Sequence, residues 1–192
     1  KIHYFDVGQA DAIAIITPNN KCFVIDTGKD NSDGRKIVDY LKKNRVNKID
    51  ILVITHPHLD HCGGAEYILK NMTVSEVYDS GKTSSIRAYK NMLLEIKRNG
   101  VKYSQPKRKE TYQWDKNLTA RILHPVKNKS YDANNSSIVI HLTYKNVNFL
   151  FTGDMESEVE EELIKDFGRS IKSDVLKVGH HNNYTSSSKK FL

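Results

Sequence analysis

Cysteine is scarce: Cys22 and Cys62 are the only two in 192 residues. No disulfide framework can be built from so few, and a chain of this length buries a core without staples. Cys22 lies in an apolar strand pattern and reads as a small core residue. Cys62 follows His61 directly and invites a ligand reading, but better-placed neighbours favour a packing role. No run approaches the ~20 apolar residues of a membrane span. There is no internal repeat, linker or low-complexity block, and no interleaving of aromatic and basic residues of the RNA-binding kind. An initiator methionine and a signal peptide are also missing. The chain opens inside a strand-like run and its C-terminus, Ser186 to Leu192, stops abruptly, so a longer gene product is the expectation.

What remains is an ordinary globular composition, 38% hydrophobic and 28% charged, with a net charge of +7. A basic balance favours phosphate-bearing partners by long-range attraction, although scattered lysines also describe a plain solvated surface. The one dense run is Lys107-Arg108-Lys109.

Strand patterns cover residues 2–7, 12–17, 22–26, 49–54, 74–78, 118–123, 137–143, 147–151 and 174–178. Helical stripes run through Ile37, Val38 and Leu41, through Ile86, Tyr89, Leu93 and Ile96, and through Val159 and Leu163. A further helix is expected at 65–70. Asn19-Asn20 reads as a hairpin turn. The opening strand–strand–strand–helix–strand order predicts an α/β fold with a mixed sheet, not a doubly wound one. The polar stretch 102–117 reads as a surface loop or edge region. One domain over 1–192 is expected.

The chemistry concentrates in Thr55-His56-Pro57-His58-Leu59-Asp60-His61-Cys62-Gly63-Gly64, behind a buried-strand pattern. In extended backbone, residues two apart point the same way, so His56 and His58 can face one ion. A turn after Leu59 can aim Asp60 and His61 at a second. Gly63 and Gly64 allow a tight passage into the next helix. Imidazole and carboxylate together suit zinc, manganese or iron.

The His-x-His-x-Asp-His run resembles the signature of the metallo-β-lactamase superfamily. Phe23-Val24-Ile25-Asp26-Thr27-Gly28, Phe149-Leu150-Phe151-Thr152-Gly153-Asp154 and Leu176-Lys177-Val178-Gly179-His180-His181 resemble its other landmarks, in order. The opening Phe5-Asp6-Val7-Gly8-Gln9-Ala10-Asp11 is similar to that of ComEC-type competence proteins and their free-standing relatives, and of Gram-positive phosphocholine esterases.

The resemblance implies a four-layer αββα sandwich that ends short of the family's usual C-terminal strand and helix. It implies one or two divalent ions, zinc or manganese. His56 and His58 would hold the first ion, and Asp60 and His61 the second. Asp154 would bridge the two, and one of His180 and His181 would complete the set while the other lies near the leaving group. His180 is slightly favoured as the ligand. Asp60, His180 and His181 are the candidate catalytic residues. Asp26 would hold a ligand histidine by hydrogen bond, and Asp6, Gln9 and Asp11 would orient groups near the cleft.

One departure is the absence of histidine in Tyr131-Asp132-Ala133-Asn134-Asn135-Ser136-Ser137, where most members supply a third ligand to the first metal. Asn135 would be a weak oxygen ligand or a substrate contact there. His124 reads as a loop histidine, and His3 and His141 as structural.

The expected activity is a hydrolase, phosphodiesterase or nuclease-like, using a metal-activated hydroxide. Its partner would be a phosphodiester polymer such as nucleic acid or a teichoic-acid-like chain; no protein partner is inferable. The alternatives are a lactamase or thioesterase of the same fold, and a non-catalytic module that binds DNA or wall polymer. The bacterial envelope or exterior is the expected location, with the cytoplasm as the alternative.

Overall fold

A computed structural model describes residues 1–126 and 128–192. The chain divides into two compact units, Lys1–Gln105 and Pro106–Leu192.

The first unit is built on a six-stranded sheet of order β1-β2-β3-β4-β5-β6. These strands are Ile2–Tyr4, Ala12–Ile16, Cys22–Thr27, Lys48–Ile54, Thr73–Asp79 and Lys102–Ser104. β1, β2 and β3 pair antiparallel, whereas β3 to β6 run parallel. Asn20, at φ 60, makes the turn between β2 and β3, as its side chain's tolerance of left-handed backbone allows. Parallel pairing demands crossovers, supplied by α1 (Asn31–Lys43), by α2 (Leu59–Cys62) with α3 (Ala65–Asn71), and by α4 (Arg87–Arg98).

α1 starts where Asp30 accepts hydrogen bonds from the amides of Ser32 and Asp33, and Lys42 and Lys43 oppose the dipole in its last turn. Its stripe Ile37, Val38 and Leu41 packs with Val24, Leu52, Ile68 and Met92 in one buried cluster. Each such aliphatic side chain contributes ~1.5–3 kcal/mol when fully buried.

The second unit holds a five-stranded sheet of order β11-β10-β9-β8-β7. Its strands are β7 (Thr111–Asp115), β8 (Leu118–His124), β9 (Val139–Tyr144), β10 (Val147–Phe151) and β11 (Val175–Lys177), and α5 spans Ser157–Phe167. Only β10 and β11 pair parallel. Val159 and Leu163 of α5 are buried with Leu123, Val139 and Leu150.

The α/β character, the mixed sheets and the strand order of the opening agree with the sequence reading. The stretch 102–117 differs: it contains β6 and β7, each the outermost strand of its sheet. β6 is three residues with no alternation, and in β7 only Trp114 is buried, so neither shows the pattern of a strand packed on one face. β1 stops at Tyr4, and the remainder of the expected strand becomes a loop that turns at Gly8, φ 68. Arg108, at the centre of the basic run, is spent on structure. It pairs with Glu162 at 3.6 Å and with Asp166, and lies over the Phe167 ring. Both thiols are buried, and burial pushes each up to about 12, which fits packing. His3 stacks on Tyr40, ring centroids 4.0 Å apart.

His124 is fully buried, its Nε2 lying 2.7 Å from the Asn135 carbonyl. Desolvation pushes its pKa down to about 4. The folded form therefore holds the neutral ring, and its contribution, present above the ordinary value near 6.5, is lost as pH falls toward about 4. The loss amounts to ~3 kcal/mol. His124→Gln keeps an N–H donor without the titration, so the difference in denaturant stability between wild type and variant should shrink across that window. A constant difference would place the titration elsewhere.

Candidate functional site

The residues of the His-x-His-x-Asp-His run sit at the C-terminal end of β4, where an open parallel sheet places its ligands. His56 is fully buried, His58 caps α2 with its carbonyl, and His61 is fully buried within that short helix. His56 Nε2 lies 3.0 Å from His58 Nδ1, and the His56 and His61 ring centroids are 4.1 Å apart. Three imidazoles are thus gathered on one turn. Asp60 has its side chain 31% exposed, with Oδ2 3.8 Å from His61 Nε2.

A β-bulge organises this turn. Ala12 pairs with Thr27 and Ile13 with Ile25, so Asp26 is the surplus residue of β3. It adopts φ 57, a left-handed conformation for a non-glycine residue. Bulges re-aim side chains next to active sites. Here the Asp26 carboxylate turns toward β4 and accepts from the Thr55 amide at 2.8 Å and from the Thr55 hydroxyl at 2.8 Å. Its Oδ2 also lies 2.8 Å from His61 Nδ1. Burial pushes the Asp26 carboxyl up from its ordinary value, the adjacent His61 pulls it down, and Asp11 pushes it up again.

The opening loop closes over this turn: Asp11 N donates to the Asp60 carbonyl, and Gly28 N to the Asp11 carbonyl. Asp11 Oδ2 reaches within 3.9 Å of His61 Nδ1, whereas Gln9 and Asp6 are exposed. Gly63 and Gly64 have ordinary helical φ, so their role is close approach and not a left-handed turn. A Cβ on Gly64 would lie 2.3 Å from the Thr27 carbonyl and 2.7 Å from the Gly34 amide.

In the second unit Asp154 follows β10 and is 1% exposed. Its Oδ2 lies 3.3 Å from His181 Nε2 and its Oδ1 3.6 Å from Lys177 Nζ. His180 is held differently: its Nδ1 is 2.9 Å from Glu156 Oε1 and 3.3 Å from the Thr185 hydroxyl. Both histidines occupy left-handed backbone, φ 41 and φ 49. The sequence reading leaned to His180 as the ligand; the imidazole beside Asp154 is that of His181.

Asn135 donates from its side chain toward Asp132 at 3.3 Å and accepts from the Glu156 amide at 2.9 Å, so both ends of its amide are engaged. Its neighbour Asn134 reaches His180 Nε2 at 3.4 Å. Glu156, Lys177 and Asn134 escaped sequence reasoning. The Gly-Asp and His-His motifs lie two or three residues from the first two, and an Asn-Asn pair gives no sign of which member faces outward.

The donor set fits a divalent cation. Two ring nitrogens each ~2.0–2.1 Å from one ion lie ~3–3.4 Å apart, as those of His56 and His58 do. With Nδ1 of His61 held by Asp26, its Nε2 is the atom left to ligate, the usual arrangement of a carboxylate-braced ligand histidine. Asp11, Asp26 and His61 also bring donor atoms within 4.8 Å of one another. Asp26 already spends both oxygens there, so that group reads as a brace and not as a separate ion site.

A family model described as the metallo-beta-lactamase superfamily matches residues 5–192. This chain belongs to the metallo-β-lactamase superfamily. Its members are metal-dependent hydrolases, and the fold implied by the sequence resemblance is that of its structural neighbours. The chain is 31% identical over 209 residues to the ComE operon protein 3 of Bacillus subtilis, covering 100% of this chain and 26% of that protein. It is 30% identical over 188 residues to the competence protein ComA of Neisseria gonorrhoeae, covering 98% of this chain and 24% of that one. The chain thus spans about a quarter of these relatives. Among solved structures, a metallo-beta-lactamase from Pontibacter korlensis superposes with a TM-score of 0.56 at 16% identity, covering 91% of this chain and 83% of that one.

Proposed function

We propose that this chain is the catalytic domain of a divalent-metal-dependent phosphodiesterase acting on nucleic acid or a teichoic-acid-like polymer, with zinc or manganese as its ion. The observation that carries the reading is the packed set His56, His58 and His61, with Asp26 braced on the last. The resemblance extends the ligand set to Asp60, Asp154 and a histidine of the 180–181 pair, for which the contact with Asp154 favours His181. Bound there, a divalent ion would supply a Lewis acid that makes water acidic near neutral pH and offsets the negative charge on the phosphoryl oxygens.

The chain's own groups do the rest. Asp26 fixes the tautomer of His61. Glu156 and Thr185 hold Nδ1 of His180, so that in its doubly protonated form, with Glu156 balancing the charge, the ring can hand its Nε2 proton to a departing alkoxide. Phosphodiester over lactam is supported by relatives named for competence and by the absence of a histidine between 131 and 137. A net charge of +7 adds attraction for a polyanion.

The test is turnover of an oligonucleotide and of a poly(glycerol phosphate) with manganese or zinc, against nitrocefin and an acyl-glutathione in parallel. Cleavage of a phosphodiester, abolished by chelation and restored by the ion, is the expected result. Turnover of nitrocefin or the thioester alone would overturn the reading in favour of the second activity. Ion uptake without any turnover would reduce the domain to a binding module.

A further inference from the structure

Three consecutive residues of the candidate site stand in left-handed backbone: His180 at φ 41, His181 at φ 49 and Asn182 at φ 64. None is glycine, so each is held against its own steric preference and persists only where the surroundings fix it. What fixes them lies within the second unit. Gly179 is seated so closely that a Cβ on it would lie 2.6 Å from the carbonyl of Met155, the residue after Asp154. Beyond it the chain turns back on itself. Asn183 N donates to the His180 carbonyl at 2.8 Å, Ser186 N to the Asn183 carbonyl at 3.0 Å, and the Ser186 hydroxyl to the Gly179 carbonyl at 2.8 Å.

The far side of this turn is tied to α5. Ser157 N, the first amide of that helix, donates to the Thr185 carbonyl at 2.9 Å, and the Thr185 hydroxyl donates to Glu156 at 2.9 Å. Glu160, in the first turn of α5, is 0% exposed. Its two oxygens accept from successive amides, Oε2 from Ser188 N at 2.9 Å and Oε1 from Ser187 N. A glutamate is seldom buried so completely without a cation beside it. Among the described residues Glu160 has no ion-pair partner, and the helix N-terminus with the two amides offsets its burial instead.

We propose that Glu160 is a positioning residue for the proposed reaction. By clamping the amides of Ser187 and Ser188 it keeps residues 179–188 closed on α5, and so keeps the His180 imidazole on Glu156 and that of His181 beside Asp154. The proposal rests on the phosphodiesterase reading, in which those two imidazoles serve.

Two variants test it. Glu160→Gln keeps the shape but sets an N–H donor against one of the two amides; Glu160→Asp keeps both acceptors on an arm one methylene shorter. Histidine ring signals are read by ¹⁵N-edited NMR on metal-free protein. In Glu160→Gln the signals of His180 and His181 should move and the Ser187 and Ser188 amides should exchange faster with solvent. The buried His124, held on the Asn135 carbonyl, should keep its wild-type signal. Glu160→Asp should move the same two signals less. With manganese or zinc and a phosphodiester, Glu160→Gln should lower kcat about 10²-fold with KM unchanged, as misplacement of a reacting group does.

Unchanged His180 and His181 signals, whatever the exchange at Ser187 and Ser188, would overturn the proposal. So would loss of the His124 signal along with theirs in both variants, because Glu160 would then support the unit as a whole. A wild type that cleaves no phosphodiester overturns the reading beneath, and the imidazole signals still decide whether Glu160 sets their place.

Discussion

Asp60→Ala is expected to lower phosphodiester turnover at least ~10³-fold while leaving the unfolding midpoint within the error of the wild type, whereas His61→Ala loses both activity and stability. The two residues are neighbours in one short helix and differ in what surrounds them. Asp60 has its side chain 31% exposed, so truncation removes a partly hydrated carboxylate and leaves no cavity in the core. His61 is fully buried against Asp26, itself 1% exposed. Removing the imidazole strands a buried carboxylate, a loss that typically costs ~3–5 kcal/mol. Asp26→Asn isolates the bracing role: asparagine tolerates the left-handed φ and still accepts from the Thr55 amide. Ion affinity should then fall ~10–100-fold with the fold intact, read by competition with a chromogenic chelator. Equal stability losses in Asp60→Ala and His61→Ala would show that the burial argument is wrong.

Gly64→Ala should cost at least ~3 kcal/mol, lowering the unfolding midpoint by ~6–12 °C in a chain of this size. The new methyl would meet the Thr27 carbonyl at 2.3 Å and the Gly34 backbone at 2.7 and 2.8 Å, with no flexible side-chain end among them to yield. Gly100→Ala is the control. Its Cβ would have nothing within 4 Å, so only the cost of φ 62 remains, ~1 kcal/mol. Thermal unfolding followed by circular dichroism separates the two. A Gly64→Ala protein as stable as the Gly100→Ala one would refute steric closure of that turn.

The run His56 to His61 was legible as a candidate site because its chemistry is dense: imidazoles and a carboxylate behind a buried strand have few other uses. The strands and helices that bury one face were legible for the same kind of reason, since periodicity reports burial. β6 and β7 escaped because each lies at the rim of its sheet and shows little alternation. The bulge at Asp26 escaped because every residue of β3 is buried, which erases the alternation that would have betrayed an extra residue. His180 and His181 were not separable, since adjacent imidazoles in left-handed backbone diverge through φ and ψ, which sequence does not display. Asn135 drew notice for its position, yet its amide is occupied by Asp132 and Glu156, and it is Asn134 that reaches His180.

The surplus residue in β3 makes the aim of Asp26 a matter of counting. Its direction is set by the one-residue offset between Ala12–Ile13 and Ile25–Thr27, and not by the chemistry of the acid. Shortening that strand by a single position would restore even pairing with β2 and swing whatever side chain came next to the opposite face. A substitution beside this brace leaves its aim unchanged, whereas a one-residue insertion or deletion does not.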